Sequence, residues 1–500
     1  MKTTTRIAAL LLSLAMLLTL GVVLIGAEDA ATPAAPTVWD GTADTTWYDA
    51  NSTTKTATLT TASQLAGFSE LSKTNNFYEW TIKLGADIVL NEGNAADWAT
   101  TAPTNAWTPI SEFWGTFDGQ GYKISGLYIN QPSLPEIGLF AKLNGATVKN
   151  FSIVNAYVCG RYQVGSVAGI IVTAFAAIEN VYSDAIVYAY PCSDGKHDGA
   201  QAGGILGANA TALSTITGCW FSGKVYGVAD GDPLNPTDYT NDNQASQVGG
   251  IVGVSTKKIT IKDCLVDGHV EAHSQVGGIV GRFISESGHV LENCLMLGDV
   301  KVSRWTNNKC FAGEFIGIIF SGLTALLTNC YGLSTYEATY EDIVEDGNRL
   351  FKTAAFSSNG TGTVTESSSF DRFTADDLKG DGAKTKLVGF DFDTVWKTVA
   401  DGTPVLTMTV KADEPASGDD DDNSTTEAPT APVDTPTTEA PTTETPTEAP
   451  TTDNGKDNSI GTDAASGSNG GCASSVGGVA VVCLPVLGAL LGLKRRKKED

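Results

Sequence analysis

The hexapeptide Val-Gly-Gly-Ile-Val-Gly occurs twice, at Val248–Gly253 and Val276–Gly281, with looser copies at Val164–Gly169, Ala202–Gly207 and Ala312–Gly317. From first glycine to first glycine the copies lie 38, 46, 28 and 36 residues apart. A short unit that recurs in this way cannot bury an apolar face alone and must stack on its neighbours. The tightest spacing sets the unit at 28 residues, and the longer ones carry insertions.

Each unit continues in register. An apolar-x-x-Cys step follows the glycines at Ile216–Cys219, Ile261–Cys264, Leu291–Cys294 and Leu327–Cys330, with Ile178–Val181 as a cysteine-free counterpart. A third short run follows at Gly223–Tyr226, Gly268–Glu271 and Gly298–Lys301. Three short alternating, β-branched runs in so few residues are strands, which predicts an all-β chain wound as a parallel β-helix. The paired glycines suit a corner where backbones approach closely. A phosphate-binding loop would need a helix after the glycines, whereas another β-type run comes next.

The chain has nine cysteines. Cys219, Cys264, Cys294 and Cys330 share one repeat position, and side chains that point the same way across a parallel stack are badly placed to bridge. A ladder of buried free thiols is expected. Cys159, Cys192 and Cys310 precede glycine strands, and their pairing stays open. No C-x-x-C pair offers a zinc site, and no cofactor is implied.

Lys2 and Arg6 precede an apolar run, Ile7–Ile25, with small residues at Gly26 and Ala27, the form of a secretory signal over residues 1–27. Val476–Leu493, within an expected anchor at 474–493, is an uncharged, apolar span followed by a basic tail, 494–500, as in a membrane helix with its C-terminus in the cytoplasm. Between these lies a Thr/Pro/Glu-rich stalk, 411–473, too poor in apolar residues to fold. The formal charge is −25. Setting aside Lys2, Arg6 and the net +3 of the tail leaves about −30 outside the cell, which argues against nucleic acid as a partner. The remaining divisions are an N-terminal cap with first coils, 28–145, the repeats, 146–345, and a closing segment, 346–410. Thr61–Gln64 has the form of a capping box, and Leu65, Phe68 and Leu71 recur at helical spacing, which predicts a short helix over the open end of the stack. Phe390–Met408, with the turn Asp401–Pro404, reads as a closing strand pair.

Together the glycine repeats, Trp114–Ile129 (WGTFDGQGYKISGLYI), Ile137–Phe140 (IGLF) and Thr61–Phe68 (TASQLAGF) resemble the GLUG-motif bacterial surface proteins. The resemblance spans roughly Val38–Met408. It implies a right-handed parallel β-helix on a bacterial surface, with adhesion or extracellular recognition of glycans or surface proteins as its role and no catalytic residues to carry over. Leu484–Gly488 lies inside the apolar span and lacks the threonine of a sortase signal, so membrane anchoring is expected over wall attachment.

The insertions fall between the third strand and the next glycine strand, at Tyr188–Gln201, Tyr226–Gln247 and Ser303–Phe311, so they emerge along one edge. Tyr190, Tyr239 and Trp305 are the ligand-edge residues they supply. His269 and His273 share a strand face but lack a third metal ligand, and Asp118-Gly119 reads as a turn. Arg161, Arg282 and Arg304 are scattered, with no acidic cluster beside them. The alternative functions are an extracellular polysaccharide lyase or hydrolase and a structural surface component.

Overall fold

A computed structural model describes residues 36–191, 199–211, 213–227, 246–272, 274–303, 311–320, 322–335, 339–341, 354–358, 363–366 and 371–408. The expected signal, stalk, membrane segment and tail lie outside these residues. So do Cys192, Tyr239, His273, Arg304, Trp305 and Cys310. Among the described residues no helix is long and apolar enough to cross a membrane.

The described chain is mostly β, with parallel sheets and few helices. Three sheets, of 12, 17 and 7 strands, are visited in rotation. We name them the glycine, cysteine and tyrosine sheets. One coil shows the path: Gln247–Gly249 and Val252–Ser255 lie in the glycine sheet, Ile259–Lys262 and Leu265–Val266 in the cysteine sheet, and His269–Ala272 in the tyrosine sheet. The next coil pairs with it in parallel, Val248 opposite Val276, Ile261 opposite Leu291 and Val270 opposite Val300. Alternation sorts the side chains: Ile259 and Ile261 are buried while Thr260 and Lys262 are half-buried. The inward set forms one continuous core.

The repeat glycines are required by contact rather than by dihedral. A Cβ on Gly249 would lie 2.2 Å from the Val252 carbonyl oxygen, and one on Gly253 2.6 Å from that of Gly207. The chain bends at Gly250–Ile251 between the two glycine-sheet strands. A second corner divides the cysteine sheet. Asn150, Asn180, Asp263, Asn293 and Asn329 occupy it with φ between +49° and +58°, and Gly218 takes the place with φ +64°. Asparagine and aspartate tolerate this left-handed turn better than other side-chain-bearing residues. The amides also bond along the stack, from Asn180 Nδ2 to Asn150 Oδ1 at 2.9 Å and from Asn329 Nδ2 to Asn293 Oδ1 at 3.1 Å.

The residue after each corner is Phe151, Val181, Cys219, Cys264, Cys294 or Cys330, and all are buried. The four repeat cysteines are free, as is Cys159. Their sulfurs lie against carbonyl oxygens, with Cys264 Sγ 3.3 Å from Lys262 O and Cys330 Sγ 3.5 Å from Leu291 O. Burial pushes the Cys264 and Cys330 thiols up.

A short helix, α1 (Trp47–Asn51), precedes α2 (Ala62–Ser72). Thr61 caps α2 by accepting from Gln64 N at 3.2 Å, while Gln64 Oε1 reaches Thr60 N at 2.8 Å. Phe68 packs onto Phe77 and Phe113 with ring centroids 4.8 and 5.4 Å apart. The helix also serves Ile110–Phe113, the first strand of the glycine sheet. Ser72 Oγ accepts from Ser111 N at 2.8 Å and Ser69 Oγ donates to Thr108 O at 2.7 Å, so polar groups along that edge are satisfied.

The C-terminal part departs from expectation in two ways. Stacking continues past the recognisable repeats: Ala354–Ser358, Thr363–Glu366 and Arg372–Phe373 all pair in parallel with the preceding coil. The strand pair exists, Trp396–Val399 antiparallel to Gly402–Leu406. It packs, with Leu378, Leu387 and Phe390, on Leu265, Leu295 and Tyr331 of the cysteine sheet's outward face. Apolar residues at those outward positions explain the lateral docking.

Candidate ligand face on the tyrosine sheet

Residues on the tyrosine sheet alternate between a core column, Val158, Val187, Val225, Val270 and Val300, and outward columns. The outward side carries a file of aromatic rings. Tyr128 stacks on Tyr157 at 5.8 Å, Tyr157 meets Tyr188 at 5.6 Å and Tyr188 stacks on Tyr226 at 4.8 Å. Trp98, which follows a single 3-10 turn at Ala95–Asp97, covers Tyr128 edge-on at 5.9 Å. Tyr128, Tyr157 and Tyr188 are buried, so the file is structural over most of its length. Only at Tyr226, which is half-buried, does it open.

The file ends in charge. The His269 ring lies 5.5 Å from Tyr226. Its Nδ1 meets Asp299 Oδ2 and its Nε2 lies 3.0 Å from Glu271 Oε2. Lys301 Nζ stands 3.5 Å from Glu271 Oε1. Burial pushes the imidazole down, but the hydrogen bonds to Asp299 and Glu271 outweigh it and raise its pKa to about 9. The contribution of this contact to stability is therefore complete below the ordinary histidine range and is lost as pH rises through about 9. The bond to His269 in turn holds the Asp299 carboxyl below its usual range.

Beside this cluster, where the chain turns from the cysteine sheet to the tyrosine sheet, lies a cavity of about 270 Å³. Met296, Leu297, Gly298 and Leu333 line it, together with Asp267, Asp299 and Thr335. Asp267 is fixed by a 2.8 Å hydrogen bond from Trp220 Nε1, and the Trp220 ring meets Tyr182 edge-on at 5.0 Å. Fixed acceptors beside an apolar wall and an indole suit a ligand with hydroxyl donors and an apolar face. Among the described residues no three His, Cys, Asp or Glu side chains gather where they could hold a metal ion.

Tyr190 is the last residue of the strand Ile186–Tyr190 and is 7% exposed, so it belongs to the sheet rather than to the following insertion. Tyr239 and Trp305 lie outside the described residues. His269 faces outward as alternation predicts, yet it is held between two carboxylates instead of standing free in solvent. Arg161 ties down neighbouring chain through Pro132 O at 3.1 Å and Pro191 O at 2.9 Å, and Arg282 lies over the Phe320 ring at 4.3 Å. Asp118 ends a strand and accepts from Gln120 N at 3.1 Å and Asn150 Nδ2 at 3.0 Å, the bonding of a turn. Sequence reasoning missed the aromatic file. Its signal was a tyrosine in every third strand from Tyr128 to Tyr226.

No protein-family model matches the chain. A halomucin of Haloquadratum walsbyi is similar over 180 residues at 29% identity, which is 35% of this chain and 2% of the halomucin. This chain thus matches a small fraction of that relative's length. Among solved structures, a Bacteroides ovatus protein provisionally assigned as an immunoglobulin A1 protease is similar at 18% identity, with a TM-score of 0.46 over 70% of this chain and 92% of that one.

Proposed function

We propose that this is a bacterial cell-surface protein of the GLUG type, a right-handed parallel β-helix on a stalk and membrane anchor, acting in adhesion or extracellular recognition of glycans or proteins. Rotation of the chain through three parallel sheets supports the β-helix. The signal-like N-terminus, the apolar segment with its basic tail and the likeness to part of a halomucin support the surface. The observation that carries recognition is the corner cavity, which Asp267 and Asp299 line with Met296, Leu297 and Leu333, beside Trp220 and the His269 cluster. One feature favours a second reading: two aspartates, Asp267 and Asp299, line one cavity, and glycoside hydrolysis uses a pair of carboxyl groups.

A panel of immobilised glycans and surface proteins, probed with the full-length protein and with Asp299→Asn and Leu333→Arg, tests the site. Capture should fall at least tenfold in both variants. Capture equal to wild type in both would remove the cavity from the function. Release of reducing sugar by wild type and not by Asp299→Asn would move the assignment to the hydrolase.

A further inference from the structure

We propose that the corner between the glycine and cysteine sheets, together with the cysteine-sheet face beside it, is a track for a polysaccharide chain of low net charge. This rests on the extracellular-recognition reading and uses a surface separate from the cavity. One or two residues before the first cysteine-sheet strand of each coil the chain turns the corner. Register through Thr116, Thr147, Ala177, Thr215, Thr260 and Val290 places Trp114, Gly145, Phe175, Leu213, Lys258 and Gly288 in one row. Register through Thr81 places Glu79 next in the row, and the ring of the residue before it, Tyr78, lies 6.4 Å from that of Trp114. Tyr78 is 58% exposed, Phe175 48% and Leu213 64%, and Trp114 is half-buried.

Leu213 is the residue that folding does not explain. Gly145 and Gly288 hold its place in other coils with φ +67° and +82°, Glu79 holds it with φ +65° and pairs with Lys55 at 2.8 Å, and Leu213 holds it with φ +68°. A left-handed backbone is costly for a branched, bulky residue, and an exposed side chain gains little from burial in return. A leucine kept where glycine fits better serves something other than the stack.

The neighbouring columns indicate what lies on the row. Beside it runs a file of hydroxyls, Thr56, Thr81, Thr116, Thr147, Thr215 and Thr260, interrupted by Ala177 and ending at Val290. Next comes a column that alternates in sign, Lys83, Asp118, Lys149 and Glu179. On the row's other side Glu112 Oε1 accepts from Trp114 Nε1 and from Asn144 Nδ2, both at 2.8 Å. Coils stack about 4.8 Å apart, close to the length of one pyranose residue. A sugar chain along the stack would set C–H faces on the aromatic row and hydroxyl edges on the threonines. The alternating charges favour no polyion. A protein contact would instead centre on a broad apolar patch ringed by polar residues, whereas this row is one residue wide.

The test uses full-length protein, an array of neutral polysaccharides and their oligomers, and the variants Trp114→Ala, Leu213→Gly and Asp299→Asn. Leu213→Gly should melt at or above the wild-type temperature yet bind the captured glycan at least threefold more weakly, and Trp114→Ala should bind at least tenfold more weakly. A lower melting temperature for Leu213→Gly would show that the leucine serves folding and would overturn the argument. Wild-type affinity in both row variants would overturn it too. If wild type captures proteins but no polysaccharide, or if only Asp299→Asn loses glycan, the track is refuted while surface recognition stands.

Discussion

Glu314→Gln is expected to stabilise the protein at neutral pH and to leave it unchanged in acid. Glu314 stands where Ala202–Gly207, Val248–Gly253 and Val276–Gly281 have their second glycine. In those coils a Cβ on Gly204, Gly250 or Gly278 would meet Phe221, Val266 or Met296 across the core. The strand that carries those large residues has Gly332 in register at the next coil. The Glu314 carboxylate fills that space, since a Cβ on Gly332 would lie 1.6 Å from Glu314 Oε1. It is fully buried and pairs with Arg372, Oε2 lying 2.8 Å from Nη2 and 3.0 Å from Nε.

Burial pushes the carboxyl up and Arg372 pulls it down, with burial winning: the pKa rises from 4.5 to about 7. Across that window the folded protein holds a proton that the unfolded chain releases, so stability falls as pH rises. Two and a half pH units at about 1.4 kcal/mol each come to about 3 kcal/mol. Glutamine imitates the protonated acid and keeps the bond to Arg372. Urea unfolding of full-length wild type and variant should therefore agree at pH 4.5 and differ by about 3 kcal/mol, in the variant's favour, at pH 8. A variant less stable than wild type at pH 8 would show that the ion pair outweighs its desolvation, and the reasoning would fail.

Two further outcomes follow from the ladders. Cys219, Cys264, Cys294 and Cys330 should resist a thiol reagent in the folded protein and all react once it is denatured without reductant; a disulfide between any two in a peptide map would refute the free-thiol stack. Asn293→Ala should cost about 2 kcal/mol, through left-handed strain and lost amide bonds, and Asn293→Gly about half that, measured by the shift in urea midpoint; equal costs would remove backbone strain from the account.

What was legible in the sequence is what repeats locally. The glycine hexapeptide, the cysteine step and the third strand gave the three β segments of each coil and their order, because period-two alternation and close backbone approach leave their mark within a few residues; that corners break the first two segments into two strands each was not read. The helix Ala62–Ser72 was legible for the same reason, from Thr61, Leu65, Phe68 and Leu71. The corner ladder was written in the residue before each cysteine, Gly218, Asp263, Asn293 and Asn329, but it emerges only when these are read as one set that tolerates left-handed backbone. Pairings across coils were harder to see. The exchange of Gly278 and Met296 for Glu314 and Gly332 joins residues on different sheets, and Arg372 lies in a coil without the repeat motif. The cavity was the least legible, since Asp267, Met296 and Asp299 are ordinary surface and core residues until stacking brings two coils together at one corner. Leu213 shows the converse. Its sequence position is unremarked, and only its backbone angle and its exposure, set against Gly145 and Gly288 in register, single it out.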